Sequence, residues 1–420
     1  MNISLIKCFF FIATTLTLNL VWHSPAAAWP EEGRAAIMPS LAKIEPGESQ
    51  QFYAVQLPRR MQVARPAEQV TWTVNGVVGG NDTFGHIDSN GLYRAPTTLP
   101  SMVHIGALVP DSSNKVLFAT VLKADASSYR SEFHWPKTEI EKASQDKILG
   151  ITLDLKGQFI LNFESGGLSQ FTKEGTFVAS FGRNVEGKPF GGVIMVAVAP
   201  SGQVYTGDLA TGPPRVNVFN PDGDWLLGFA QKGSRKGMVM TAVGIAFHPQ
   251  GDLYVADQDA MRISIYDANH TFVRYLRNDA PEGHRTNTPA GVAFDASGDL
   301  FVASAYGPCE KVNPETGERL MAFAFPVPPK GMMYIDDVCL DQWGDVYLAV
   351  RSGADVFESG PDHGGVASIM KYTNSGDYLT SIQLSANAPK RVAVEVDSDG
   401  RLYAAYSTEY TEGVEVFVQD

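Results

Sequence analysis

Two adjacent carboxylates, Asp336 and Asp337, are the side chains of this sequence best suited to chemistry. They begin a short apolar strand at a point where comparable segments carry apolar residues or glycine, as in Val243-Gly244 and Ala290-Gly291. Paired carboxylates would hold a hard cation such as calcium, which prefers oxygen ligands. The competing interpretation is that both aspartates are solvated or cap a loop. These residues alone leave the identity of any bound metal unknown.

The histidines and cysteines indicate no catalytic site. No HExxH, GxSxG or paired-cysteine motif occurs, and only His284 and His363 fall in long loops that could reach a shared face. Cys309 has no identifiable base, which a nucleophilic thiol would need. The sequence therefore predicts no catalytic residue and no cofactor beyond the calcium hypothesis. Whether Cys309 and Cys339 form a disulfide stays open.

A repeated pattern organises the chain around these residues. A glycine, one intervening residue and two apolar residues occur six times, at intervals of forty-five to forty-nine residues and a last interval of fifty-six. This period, with about four strands in each repeat, predicts a β-propeller. The six glycines are Gly157, Gly202, Gly251, Gly298, Gly344 and Gly400.

The third repeat carries a family resemblance. Its sequence VGIAFHPQGDLYVAD runs from Val243 to Asp257, and RISIY follows from Arg262. On these residues, segment 147–420 resembles the NHL-repeat family of six-bladed β-propellers. The resemblance implies that Asp257 and Arg262 brace the loop between the second and third strands of their blade.

The last repeat lacks an outer strand. Its third strand, at 414–418, runs to the end of the sequence, and an open strand edge is a liability in a closed ring. Tyr129, Phe133 and Trp135 alternate with polar residues, so segment 128–135 is predicted to supply the missing strand. We therefore expect 125–146 to be a linker with a closing outer strand. This closure should place the preceding domain beside the seam between the first and last blades.

Residues 38–124 precede the repeats and read as short strands separated by glycine turns. The sequences PGE at 46–48, VTWTVNG at 70–76 and GLYRAP at 91–96 resemble bacterial immunoglobulin-like domains. The resemblance implies a β-sandwich without a disulfide that serves as a spacer or adhesion module. The expected fold class is thus all-β, an immunoglobulin-like β-sandwich followed by a six-bladed β-propeller.

The N-terminal segment predicts export. An apolar run from Cys8 to Trp22 precedes Ala26-Ala27-Ala28, as in a secretory signal peptide comprising 1–28. No other segment approaches the roughly 20 apolar residues of a membrane span. We therefore expect a periplasmic or extracellular protein with no integral membrane segment after signal removal. The formal net charge of −13 argues against nucleic acid as a partner.

The repeat pattern also predicts a binding face. Connections between second and third strands share one propeller face with the connections that lead into each first strand. The longest interval between repeat glycines reflects an insertion at 351–367, and such loops either carry binding function or accumulate neutral changes. The candidate binding residues on this face are Asp336, Asp337, Arg351, Asp362, His363, Lys390 and Arg391.

Two functions remain open from the sequence. We expect a non-enzymatic recognition or scaffold protein that binds a protein or polysaccharide. The alternative is a metal-dependent hydrolase or lyase, similar to calcium-dependent lactonases or to zinc-dependent amidating lyases of propeller fold. Similarity to the lactonases implies axial Glu, Asn and Asp ligands, but the sixth repeat offers Lys390-Arg391 instead. Similarity to the amidating lyases implies axial histidines, which the first strands here lack near their starts.

Overall fold

The computed structural model describes residues 35–56, 65–67, 69–100, 102–109, 116–123, 129–143, 146–164, 166–182, 184–185, 188–189, 192–208, 216–276, 288–305, 307–323, 332–353, 366–387, 389–408 and 411–419. The expected signal peptide at 1–28 and the candidate binding residues Asp362 and His363 lie outside these ranges. No helix within them is long and apolar enough to cross a membrane.

Residues 35–123 form an N-terminal domain of three sheets. Its strands are β1 (Ala35–Met38), β2 (Leu41–Ile44), β3 (Ser49–Gln51), β4 (Tyr53–Gln56), β5 (Arg65–Pro66), β6 (Thr71–Val74), β7 (Val77–Val78), β8 (Gly80–Asn81), β9 (Gly85–Ile87), β10 (Leu92–Arg94), β11 (Met102–Leu108) and β12 (Val116–Lys123). The sheet orders are β1-β4-β5, β3-β10-β9-β8 and β2-β12-β11-β6-β7.

Alternating side chains of these strands build one apolar core. In β6, Trp72 and Val74 are buried while their neighbours are more exposed, which is the period of a strand with one covered face. Trp72 packs into a cluster with Phe52, Tyr93 and Ile105. β3 and β4 are neighbours in sequence but belong to different sheets. Phe52 separates them, donating its N–H to the carbonyl of Gly91 at 2.8 Å.

The remaining strands form six four-stranded antiparallel sheets within the described residues, which we number as blades 1 to 6. The elements before and within the first two blades are β13 (Tyr129–His134), α1 (Lys137–Ala143), β14 (Ile148–Leu153), β15 (Phe159–Phe163), β16 (Leu168–Phe171), β17 (Phe177–Phe181), β18 (Asn184–Val185), β19 (Lys188–Pro189), β20 (Val193–Val198), β21 (Val204–Asp208), β22 (Val216–Phe219) and β23 (Trp225–Phe229). Blade 1 is β14–β17, blade 2 is β20–β23, and β18 pairs with β19.

Blades 3 to 6 continue the same order. Their strands are β24 (Ala242–Phe247), β25 (Leu253–Asp257), β26 (Arg262–Tyr266), β27 (Phe272–Leu276), β28 (Pro289–Phe294), β29 (Leu300–Ser304), β30 (Glu310–Val312), β31 (Arg319–Ala322), β32 (Met332–Leu340), β33 (Val346–Gly353), β34 (Val366–Tyr372), β35 (Tyr378–Asn387), β36 (Arg391–Val396), β37 (Leu402–Ser407) and β38 (Glu412–Gln419). Blade 6 comprises β36, β37, β38 and β13.

The first strands of successive blades contact one another around a closed ring, from β14 through β20, β24, β28 and β32 to β36 and back to β14. This arrangement is a β-propeller. β13 is the outer strand of blade 6 and pairs antiparallel with β38, from Tyr129 opposite Gln419 to His134 opposite Glu415. Segment 128–135, where the sequence placed the closing strand, contains β13.

The repeated pattern has two physical causes. The glycine lies in the turn between the first and second strands, and the two apolar residues lie in the second strand. All six repeat glycines have φ between 76° and 105°, a conformation that side chains with a Cβ rarely adopt. The two apolar residues that follow point to opposite faces of the strand, as Leu253 and Tyr254 do in blade 3, and both are buried. Because blades pack face to face, a second strand needs apolar residues on both sides.

Antiparallel connections give the propeller two different faces. The turns between strands one and two and between strands three and four lie on one face, which we call the turn face. The opposite face, which we call the loop face, carries the connections between strands two and three and those leading into each first strand. Asp345 and Asp377 belong to turn-face turns of blade 5.

The N-terminal domain docks on the turn face of blade 5. Ser40 donates a hydrogen bond to Asp377 at 2.6 Å, and the ring of His104 stacks on Trp343 with 5.0 Å between centroids. Phe118 contacts the same tryptophan edge-on. The expected position beside the seam between blades 1 and 6 is therefore wrong. The domain lies on the other side of blade 6.

Trp135, just after β13, provides a test of ring closure. It is buried against the rings of Phe159, Phe171 and Tyr403, and so joins the closing segment to blades 1 and 6. We expect Trp135→Ala to lower the free energy of unfolding by about 3–5 kcal/mol, the usual loss for a buried tryptophan. Denaturant titration measures this. The control Val178→Ala, on the exposed side of β17, should stay within about 0.5 kcal/mol of the parent. Equal losses in both variants would contradict the closing role.

Candidate functional site at the propeller axis

A β-bulge recurs in the first strand of blades 1 to 5. In blade 5 it lies in the middle of β32, so Asp336 and Asp337 do not begin that strand as the sequence suggested. At a bulge, two residues of one strand lie opposite one residue of its partner, so the extra side chain leaves the regular alternation. The extra residues are Leu149, Ile194, Val243, Ala290 and Asp336. The structure thus places the one charged member of this set at the position the sequence singled out.

Asp336 forms a buried ion pair with Arg351. The guanidinium approaches both carboxylate oxygens, with Nε at 2.5 Å and Nη2 at 2.7 Å, and both side chains are buried. The amide of Val392 in blade 6 donates to the same carboxylate at 2.9 Å, and the guanidinium lies over the ring of Tyr334. Removing one partner of such a pair would leave the other as an uncompensated buried charge, which is strongly destabilising. The pair therefore holds blades 5 and 6 together.

Asp337 points instead into a cavity of about 260 Å³ on the propeller axis. Its two oxygens accept backbone N–H groups of Val338 at 2.9 Å and Val394 at 3.1 Å. One of them lies against the Cα of Gly291, where a side chain would crowd it. Burial raises the pKa of Asp337 to about 6, although these N–H donors and the nearby Arg391 oppose the shift.

Glu395 is the axial residue that sequence reasoning missed. It occupies one position in a layer of first-strand residues around the cavity, where the other five blades contribute Thr152, Ala197, Ala246, Ala293 and Cys339. Burial raises the pKa of Glu395 to about 7, and the Asp337 carboxylate acts in the same direction. Aligning the first strands would have found it, because the layer otherwise contains only small residues.

The remaining candidate residues lie around this cavity or near it. Arg391 lines the cavity and donates from Nε to the carbonyl of Leu149 at 2.7 Å, which ties blade 6 to blade 1. Lys390 precedes it on the loop face and is partly exposed. The structure therefore brings Asp337, Glu395 and Arg391 together, and sets Asp336 with Arg351 into a separate ion pair.

A second polar cluster lies between the domains. Ligand atoms of His104, Asp341 and Asp345 are within 4.8 Å of one another, a spacing that could suit a metal. The ammonium of Lys371 already occupies this cluster, at 3.1 Å from Asp345 and 3.8 Å from Asp341. Although burial lowers it, the pKa of Lys371 is raised by Tyr129, Asp345 and Asp341. The lysine thus supplies the positive charge that a metal would otherwise bring.

The two cysteines of the propeller are free and buried. Burial raises the pKa of both the Cys309 and the Cys339 thiols, so neither forms a thiolate readily. Cys309 and Cys339 therefore do not form a disulfide with each other.

Comparison with known proteins gives the fold alone. No protein-family model matches the chain, and no curated protein matches it. Among solved structures, a protein of unknown function from Bacteroides thetaiotaomicron is 13% identical and has a TM-score of 0.51, covering 93% of this chain and 98% of its own.

Two further structures are similar over shorter lengths. A virginiamycin B lyase from Staphylococcus aureus is 10% identical, with a TM-score of 0.46 over 69% of this chain and 100% of its own. The WD40 β-propeller domain of Doa1 is 12% identical, with a TM-score of 0.46 over 70% of this chain and 98% of its own. The activities in these names belong to those proteins.

The axial carboxyls predict how stability depends on pH. Because the pKa values of Asp337 and Glu395 are raised, the folded chain keeps protons that the unfolded chain has released. The free energy of unfolding should therefore fall as the pH rises from about 4 to about 7. Glu395→Gln, which resembles the neutral carboxyl, should flatten this decline in denaturant titrations across that range. The exposed control Glu318→Gln should keep the parental slope. A parental slope in Glu395→Gln would contradict the assignment.

Proposed function

We propose that this protein is an exported, non-enzymatic recognition or scaffold protein that binds its partner through the loop face of the propeller. In this proposal residues 1–28 are a signal peptide and the mature protein is periplasmic or extracellular. The N-terminal domain is an immunoglobulin-like spacer, and the ring is a six-bladed propeller of the NHL type. The partner is a protein or a polysaccharide.

The placement of the N-terminal domain carries the proposal. It covers turns of blade 5 on the turn face through Ser40, His104 and Phe118. The loop face of the propeller lies on the other side, with the connections that lead into each first strand. A rigid closed ring holds those connections at fixed positions, which suits recognition.

The charged groups near the axis also favour binding over catalysis. Asp336 and Arg351 neutralise each other, and both oxygens of Asp337 accept backbone hydrogen bonds. Each of these groups is held by a structural partner rather than presented to a reactant. The expected cation site at Asp336 and Asp337 would require breaking the buried ion pair, which is costly.

The metal-dependent alternative would have to use different residues. Among the described residues, the carboxylates that line the axial cavity are Asp337 and Glu395, and calcium normally takes six to eight oxygen ligands. These two side chains supply fewer than that number. Stoichiometric calcium or zinc in purified protein, lost together with hydrolysis of a lactone or ester panel, would establish this alternative instead.

A photo-crosslinking experiment tests the binding face. Benzoylphenylalanine placed at Lys390, on the loop face, should form adducts with the partner in intact cells of the native host. The matched control is Leu155, a strongly exposed turn-face residue of blade 1. We expect adducts from position 390 and few from position 155, as seen by gel shift and mass spectrometry. Adducts from position 155 alone would refute the loop-face proposal.

A further inference from the structure

A basic loop joins blade 2 to blade 3. Residues 231–240 read QKGSRKGMVM, and Lys232, Arg235 and Lys236 are all exposed. The whole chain has a formal net charge of −13, so three neighbouring cations without an acidic residue between them form a local departure from its charge. The loop leads into the first strand β24 and therefore lies on the loop face.

Blade 3 holds the backbone of this loop in place. Arg262 donates from Nη1 to the carbonyl of Ser234 at 3.0 Å and from Nη2 to that of Met238 at 2.8 Å. The hydroxyl of Tyr275 donates to the carbonyl of Arg235 at 3.1 Å. These inward carbonyls leave the basic side chains on the outside. A preorganised loop loses little conformational entropy when it binds.

The three cations are available to a ligand. None of them forms an ion pair with any carboxylate in the described part of the chain. Arg262, by contrast, is occupied beneath the loop, with Nε at 3.3 Å from the fully buried Asp257. The arginine that braces the loop and the cations that the loop displays thus have separate tasks.

Aromatic and apolar side chains adjoin the cations. Phe272 and Tyr275 are partly exposed, with their ring centroids 4.7 Å apart. The Lys236 ammonium lies 5.8 Å from the centre of the Phe272 ring. Val273, on the same outer strand, is exposed. Sugar rings present apolar C–H faces, and partly exposed aromatic rings offer them a flat apolar surface.

We propose that this basic loop binds an anionic polysaccharide, with Lys232, Arg235 and Lys236 contacting carboxylates of successive sugars and Phe272 and Tyr275 packing against sugar faces. The inference rests on the proposed function because it uses the same loop face and names a class of partner.

The charge distribution favours a flexible polymer over a flat membrane. An anionic bilayer would bring its charge close to much of the acidic surface as well as to the loop, and would be repelled. Electrostatic interactions are screened beyond about 8 Å at physiological ionic strength. A single polysaccharide chain can contact the loop within that distance while the acidic remainder of the protein stays screened.

The test measures binding of the full chain to immobilised polygalacturonate by biolayer interferometry. The variant carries Lys232→Ser, Arg235→Ser and Lys236→Ser, and its affinity should fall by about tenfold or more at low ionic strength. A matched control with Lys43→Ser, Arg94→Ser and Lys156→Ser removes the same charge from exposed positions elsewhere. This control should keep its affinity within about twofold. Lys232→Arg with Lys236→Arg should also bind as the parent does.

The remaining outcomes are equally decisive. Equal binding by the two triple variants, or no binding of polygalacturonate by the parent, would overturn the proposal. Stronger binding of polyglutamate, duplex DNA or phosphatidylglycerol vesicles than of polygalacturonate would overturn the partner class. Adducts from position 390 in the crosslinking experiment would then still support recognition through the loop face. The two proposals therefore fail separately.

Discussion

β13 and β38 pair along the outer side of blade 6, and this pairing joins two segments that are far apart in sequence. Without β13, blade 6 would have three strands and an open edge, which invites pairing with other chains. The same pairing fixes the N-terminal domain, because that domain directly precedes β13. Since β13 begins beside the C-terminal end of β38, on the turn face, the domain must reach the propeller from that side. Ring closure thus determines which propeller face stays open.

The axis shows how a repeat can contain unequal blades. Small residues or glycine let first strands crowd together, and Ala197, Ala246 and Ala293 do so in blades 2 to 4. Blades 5 and 6 place Asp337 and Glu395 in that same restricted space. Carboxyls there pay for desolvation unless they are protonated or hydrogen-bonded, and both of these solutions occur. The polar half of the cavity is therefore also its pH-sensitive half.

Much of the fold follows from short-range pattern, whereas the site depends on long-range pairing. The six glycines predict six turns and six second strands, because positive φ and two-sided burial leave a direct trace in sequence. The trace at Asp336 was visible as well, as a charge where other repeats are apolar. Its partner was not, since Arg351 reaches it across a bulge whose register no local pattern specifies. Glu395 was not predicted for a related reason, because its axial position becomes evident only when all six first strands are aligned around the axis.

Two buried lysines explain why the N-terminal domain docks on blade 5. In blade 4, Lys311 lies between Asp295 and Asp299, and Asn374 from the next blade covers it. Lys371 has the equivalent place in blade 5, between Asp341 and Asp345.

The next blade cannot cover Lys371 in the same way. Strands three and four of blade 6 are β38 and β13. They share no turn, because β13 precedes blade 1 in the sequence whereas β38 follows β37. Tyr129 of β13 and Met102 of the N-terminal domain contact the ammonium instead. His104 forms a hydrogen bond with Asp345. A buried charge requires such partners, because leaving it uncovered is costly. The docking position is therefore a consequence of how the ring closes.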